Sequence, residues 1–179
     1  CMKGMIVYGS EYGTTRRYAE SLSRQTGIPA ADYKELKDLA GCGLIIHLGG
    51  LYAGGVKGLK RTVKLLPPGA RLILVTVGLA DVTDPENIRN IQTSVQRQLP
   101  APLWKNTQLF HLRGGIDYGK LHFAHKTMMT LLCNQAKRIP EEKRTAEVRA
   151  MIETFNAKVD FVDLDTLAPV QEAIRTALP

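Results

Sequence analysis

An unbroken apolar run, Met5-Ile6-Val7-Tyr8, stands between Gly4 and Gly9 and leads directly into Ser10-Glu11-Tyr12-Gly13-Thr14-Thr15. Apolar residues without alternation fit a strand buried on both faces, as in a parallel sheet. A helix is expected next, with Thr14 and Thr15 in its first turn. The unpaired N–H groups of that turn face back into the loop, where the helix dipole favours an anion. Ser and Thr add hydroxyl donors, and Gly13 permits a backbone shape that brings N–H groups close to a ligand. The segment is therefore a candidate phosphate cradle, although the same residue types also make an ordinary helix N-cap.

The spacing matches neither GxxxxGKS/T nor GxGxxG, which disfavours an ATPase or a dinucleotide enzyme. A loop with hydroxyls and no lysine suits a phosphate monoester better than a metal-bound triphosphate. Arg16 and Arg17 lie just beyond it.

Along the chain, a helix over 14–26 is followed by a short edge strand at 31–33 and a clear strand at 43–48. Gly49, Gly50, Gly54 and Gly55 then surround Leu51-Tyr52-Ala53, and 57–66 reads as a helix stopped by Pro67-Pro68. Residues 71–77 are rich in β-branched side chains and end at Gly78. Asp84 stands as N-cap and Pro85 as the first residue of a helix to about Gln98, with Ile88, Ile91, Val95 and Leu99 on its buried face. A strand is expected at 107–112. Strands alternating with helices predict a parallel sheet covered on both sides. The last third departs from that pattern, with helices over 120–137 and 141–156, an apolar run at 159–162, and a closing helix striped by Leu167, Val170, Ile174 and Leu178.

In such sheets ligands lie beyond the carboxyl ends of the strands, at the point where strand order reverses. The loops at 10–15, 49–56 and 78–84, and the one opening at 114, all follow expected strands and are expected to line one crevice.

The chain of 179 residues, 44% of them hydrophobic, is long enough for one domain with its own core. Its three cysteines, Cys1, Cys42 and Cys133, show no ligand or redox spacing. A reduced, cytoplasmic setting is expected, with Cys42 and Cys133 as buried packing residues. No apolar run reaches membrane-spanning length. The net charge of +7 is spread through the chain without an aromatic-rich nucleic-acid signature, so a solvated basic surface and no nucleic-acid partner are expected. No hydrolytic motif or metal-ligand pattern is visible, and no catalytic side chain is assigned. His47 and His111 fall within apolar strands, where packed and hydrogen-bonded roles are expected. His122 and His125 share a helical face near the crevice mouth.

Tyr8-Gly9-Ser10-Glu11-Tyr12-Gly13-Thr14-Thr15 resembles the phosphate loop of the flavodoxin family. The resemblance implies a three-layer α/β sandwich with a five-stranded parallel sheet, order 2-1-3-4-5, helices on both faces, and a C-terminal helical insertion at about 114–158 within a single domain over 1–179. It implies FMN as cofactor. Ser10, Glu11, Tyr12, Gly13, Thr14 and Thr15 would hold the phosphate; Leu51, Tyr52, Ala53, Gly54 and Gly55 would lie on one face of the isoalloxazine. Gly78, Leu79, Ala80 and Asp81 would lie on the other side and the ring edge, and Gly115 and Asp117 belong to the loop opening at 114. Glu11 departs from the usual hydroxyl and is expected to point outward. Ala53 stands near the position of a common stacking tryptophan, and the 78–84 loop lacks an aromatic, leaving one flavin face open to a substrate.

A narrower resemblance is to the menaquinone-dependent protoporphyrinogen dehydrogenase-like branch. It rests on the segment opened by Gly114-Gly115-Ile116-Asp117-Tyr118 and continued by Phe123, Met128, Met129, Leu131 and Leu132. The branch implies an FMN oxidoreductase passing electrons or hydride, with a quinone or porphyrinogen-type substrate. Alternatives are a one-electron carrier and a cofactor-free binding scaffold. Expected partners are a redox protein or a small-molecule donor or acceptor, with peripheral membrane or quinone contact through the 120–137 helix, and a homodimer.

Overall fold

The computed structural model describes residues 3–52 and 55–178, apart from the side chain of Tyr52. Cys1, Ala53 and Gly54 therefore lie outside the described residues. The first half runs β1 (Lys3–Gly9), α1 (Thr14–Thr26), β2 (Ala30–Asp32), β3 (Cys42–Tyr52), β4 (Gly55–Val56), α2 (Leu59–Leu65) and β5 (Arg71–Gly78). Then come α3 (Pro85–Gln98), α4 (Ala101–Lys105), β6 (Gln108–Arg113), β7 (Gly115–Asp117), α5 (Phe123–Lys137), α6 (Ala146–Thr154), β8 (Lys158–Asp160) and α7 (Ala168–Ala177).

The parallel strands lie in the order β2-β1-β3-β5-β6, which is the expected 2-1-3-4-5 when parallel strands alone are counted. Two features correct the expected strand count. β4 pairs antiparallel with the far end of β3, making a sixth strand, and β7 pairs antiparallel with β8 in a separate ribbon. Of the apolar run expected at 159–162, only Val159 and Asp160 join that ribbon, whose strand is Lys158–Asp160. The expected helix at 57–66 begins two residues later, because Lys57 and Gly58 form a turn, with Gly58 at φ 81°.

Side chains alternate across the sheet as the strand period requires. Leu44, Ile46 and Leu48 of β3 and Ile73, Val75 and Val77 of β5 face α1 and α7, where Tyr18, Leu22, Val170 and Ile174 complete one apolar layer. Ile45 of β3 and Leu72 and Leu74 of β5 face the other way, onto Leu59, Ile91, Val95 and Leu99. Most of these side chains are fully buried, and each contributes about 1.5–3 kcal/mol relative to exposure. Cys42 and Cys133 are free and buried, as expected of packing residues. Asp84 caps α3 by accepting the Glu86 N–H at 2.9 Å, with Pro85 in the first turn.

At the carboxyl edge the strands meet a backbone that leaves no room for side chains. A Cβ on Gly9 would lie 2.3 Å from the Lys57 carbonyl oxygen, and one on Gly49 would lie 2.8 Å from the same atom. Lys57 in turn donates its N–H to the Gly50 carbonyl at 2.9 Å. His47, fully buried, approaches the Lys57 carbonyl with Nε2 at 3.0 Å and the Thr62 hydroxyl with Nδ1 at 2.8 Å. A carbonyl can only accept, so the neutral ring carries its proton on Nε2 and accepts from Thr62 through Nδ1. Burial lowers the His47 pKa to about 4. His111, also lowered to about 4 by burial, bonds the Thr76 hydroxyl through Nδ1 at 2.6 Å. Both strand histidines are thus packed and hydrogen-bonded.

G9A is expected to lower the unfolding free energy by about 1–3 kcal/mol, because the methyl must displace main chain rather than a flexible side-chain end; urea denaturation measures it. A histidine whose folded pKa is depressed contributes its full stability above the unfolded value near 6.5 and loses it as pH falls toward 4. For His47 the loss amounts to about 3 kcal/mol at the acid end. Wild-type protein is expected to weaken from pH 6.5 to 4, and H47Q to show a shallower slope, with the His111 share remaining. An unchanged slope in H47Q would contradict a neutral buried ring.

Candidate active site

The loops following β1, β3, β5 and β6 converge on a cavity of about 300 Å³ at the carboxyl edge of the sheet. This is where a switch-point ligand belongs, since β1 and β3 lead away in opposite directions. Thr14 and Thr15 open α1 at its rim, after Gly13 at φ 99°. No side chain caps this helix, and its first backbone bond runs from the Arg17 N–H to the Gly13 carbonyl at 3.0 Å. The amides ahead of it are those that α-helix geometry leaves without an intrahelical partner. Ser10 accepts the Gly13 N–H at 3.0 Å through Oγ, which shapes the turn and leaves its hydroxyl hydrogen to donate.

Glycines face both threonine hydroxyls. A Cβ on Gly50 would meet Thr15 Oγ1 at 3.4 Å, and one on Gly114 would meet Thr14 Oγ1 at 3.3 Å. The polar corner is therefore kept open by missing side chains at the ends of β3 and β6.

Glu11 does not point away into solvent as expected. Its carboxylate pairs with the Lys57 ammonium at 2.6 Å, both side chains only about a quarter to a third exposed at 24% and 30% for Lys57 and Glu11. The hydrogen bond from Lys57 holds the Glu11 carboxyl below its ordinary pKa. The loop lacks a lysine in sequence, but the fold brings one to it from the turn after β4.

The rest of the cavity is mostly apolar, with Thr76, Asn87, His125 and Glu147 among its polar lining. Leu51, Val77, Leu79, Ala80, Val82, Ile91 and Leu112 line the sheet side, and Ile116, Leu121, Met128, Met129, Leu132 and Met151 line the side built from β7, α5 and α6. α5 reaches the loop after β1 through Tyr12, whose hydroxyl bonds His125 Nδ1. The Tyr12 ring also lies 5.7 Å from the His122 ring and 5.8 Å from that of His125, centroid to centroid. His125 lines the cavity and His122 is the N-cap of α5.

Of the residues expected at the site, Glu11, Tyr12, Thr14, Thr15, Leu51, Gly78, Leu79, Ala80 and Gly115 line the cavity. Ser10 and Gly13 shape its rim from behind. Gly55 is taken up by pairing with Tyr52 in the β3–β4 hairpin. Asp81 turns aside to accept the Thr83 N–H and hydroxyl, which keep its carboxyl below the usual carboxylate range. Asp117 likewise accepts the Gly119 N–H and faces Lys158 at 4.0 Å instead of the cavity. Ala53, Gly54 and the Tyr52 side chain fall outside the described residues.

Sequence reading missed Lys57, Asn87 and the α6 contribution of Ala150 and Met151. The two glycines before Val56-Lys57 were the one available signal for Lys57. Asn87 is buried and donates to the Asp81 carbonyl at 2.7 Å, which holds the 78–84 loop against α3. Among the described residues no cluster of His, Cys, Asp or Glu is arranged to hold a metal ion, and no helix is long and apolar enough to cross a membrane.

Several solved structures are similar to the chain. A flavoprotein in complex with FMN from Lactobacillus acidophilus NCFM shares 11% identity, covering 63% of this chain and 93% of its own, with a TM-score of 0.45. A cysteine-to-alanine mutant of flavodoxin from Pseudomonas aeruginosa shares 19% identity over 76% of this chain and 97% of its own, TM-score 0.40. The apo form of the NADH:FMN oxidoreductase EMOB shares 14% identity over 63% and 76%, TM-score 0.43. No curated protein matches the sequence. Residues 5–143, well over half of the chain, match the model of the flavodoxin domain, and the chain belongs to that family.

Proposed function

We propose that this protein is an FMN-dependent oxidoreductase whose substrate is a flat, largely apolar molecule of the quinone or porphyrinogen type. FMN is the cofactor, and the residues fit it. Two glycines hold open a corner in front of the Thr14 and Thr15 hydroxyls, beside amides at the start of α1, which suits a phosphate. Leu51 and the main chain of Gly78, Leu79 and Ala80 offer an apolar slot for a planar ring. When bound, FMN supplies hydride and electron transfer.

The chain's own residues orient the phosphate through hydroxyls and amides, wall the ring from water with aliphatic side chains, and leave no need for a side-chain nucleophile. The observation that carries the enzyme reading is the second wall of the cavity. Met128, Met129, Leu132 and Met151 line it from α5 and α6. Methionines adapt to irregular apolar shapes and suit a bound substrate as well as a flavin edge. This wall favours the protoporphyrinogen dehydrogenase-like branch over a simple carrier, which has to present its flavin to a partner protein. The electron donor and acceptor are accordingly small molecules, with the exposed Phe123 and Leu131 of α5 available for contact with an apolar surface.

Purified protein titrated with FMN is expected to shift the flavin absorbance bands, and the reduced complex to be reoxidised faster by a soluble quinone than free reduced FMN. S10A and T15A are each expected to weaken FMN binding by on the order of 1 kcal/mol or more, about fivefold, through lost phosphate contacts or turn geometry. Unchanged affinity in both variants would contradict the cradle. Efficient electron exchange with a redox protein, and none with quinones, would favour the carrier.

A further inference from the structure

The phosphate loop contains a carboxylate, which by simple electrostatics should repel the group that the loop is shaped to hold. In the fold that carboxylate is matched. Lys57 Nζ lies 2.6 Å from Glu11 Oε2, and both residues line the cavity together with Thr14 and Thr15. The lysine is placed by its main chain: its N–H goes to the Gly50 carbonyl, its carbonyl receives the His47 Nε2–H, and Gly9 and Gly49 are bare where the same carbonyl passes. Such anchoring fixes the root of a flexible side chain over the ends of β1 and β3, where the loop carrying Glu11 begins, while its ammonium remains partly solvated.

We propose that Lys57 is the cationic anchor for the ligand's phosphate and that Glu11 holds its ammonium in place until that phosphate takes over the contact. This inference rests on the reading of the loop as a phosphate cradle and adds to it the source of ligand discrimination. Amides and hydroxyls alone distinguish a phosphate from a hydroxymethyl group by hydrogen bonds. A lysine released from a carboxylate adds a charge-assisted contact that only the phosphorylated ligand can make. Glu11 acts in the opposite sense, competing for the ammonium and repelling the incoming anion, and so lowers affinity for phosphorylated ligands without touching the ring slot.

The experiment compares FMN with riboflavin, which shares the ring and lacks the phosphate, by flavin fluorescence quenching on wild type, K57Q, E11Q and T15A, with thermal melts to verify folding. For K57Q the preference for FMN over riboflavin is expected to fall about tenfold or more, and the salt dependence of FMN binding to flatten. For E11Q, FMN binding is expected to tighten severalfold while riboflavin binding stays the same. Inorganic phosphate is expected to compete with FMN more weakly in K57Q than in wild type. A K57Q protein that keeps the wild-type FMN-to-riboflavin ratio, while T15A loses it, overturns the role of Lys57 and leaves the cradle standing. An E11Q protein that binds FMN more weakly overturns the competing role of Glu11. A folded wild type that binds neither flavin overturns both this inference and the functional reading beneath it.

Discussion

The main chain at Lys57 is the keystone of the carboxyl edge of the sheet. It crosses the ends of β1 and β3 so closely that Gly9 and Gly49 admit no side chain beneath it. Hydrogen bonds from Lys57 to Gly50 and from His47 to Lys57 hold it there. Three separate features follow. The strand ends stay flat enough for Gly50 to face the Thr15 hydroxyl, α2 starts at Leu59 in a direction set by the Gly58 turn, and a cation stands beside the first loop. A buried histidine is an expensive way to hold one carbonyl, because it must remain uncharged in the core. Thr62 makes this tolerable by satisfying the second ring nitrogen.

The cavity joins two halves of different character. One is the carboxyl edge of the parallel sheet, polar at α1 and aliphatic beyond; the other is contributed by β7, α5 and α6 and is rich in methionine. At the cavity the halves meet through aromatic and backbone groups, while the ion pairs Arg17–Asp160 and Arg149–Asp84 join them outside it. Tyr12 meets His122 and His125, and the Gly114 N–H reaches the Gly78 carbonyl at 2.8 Å. The rim position of Tyr12 thereby couples the loop after β1 to the first turn of α5.

The alternation of strands and helices was readable because buried parallel strands leave continuous apolar runs, as at 43–48 and 71–77, and because Asp84-Pro85 is an unambiguous helix start. The extension of β3 through Gly49 to Tyr52 was not, since paired glycines read as loop. They are strand here because Gly49 lies in register between Gly9 and Thr76 and has a carbonyl above it that forbids anything larger. The β7–β8 ribbon left no local trace beyond the apolar run at 159–162: its strands are three residues each, mixed in polarity, and far apart in the chain. At the site, the placement of Thr14 and Thr15 in the first turn of α1 was legible from residue type and position. The ion pair between Glu11 and Lys57 was not, because it exists only once the β3–β4 hairpin folds back. The carboxylate bonds of Asp81 and Asp117 were not legible for a related reason. An aspartate in a loop next to a site bonds the backbone two residues on as readily as a ligand, and both do so.

The Tyr18 hydroxyl donates to the Arg113 carbonyl at 2.6 Å and accepts the Asp163 N–H at 3.0 Å. Just beyond, the Phe161 N–H closes on the Gly114 carbonyl at 2.9 Å. Everything between departs from and rejoins the sandwich through one narrow neck. A module with such a neck can change in length or composition while α7 still reaches its seat against α1 and the sheet. The wall built from β7, α5 and α6 can thus change without disturbing the polar corner that the parallel sheet and α1 hold.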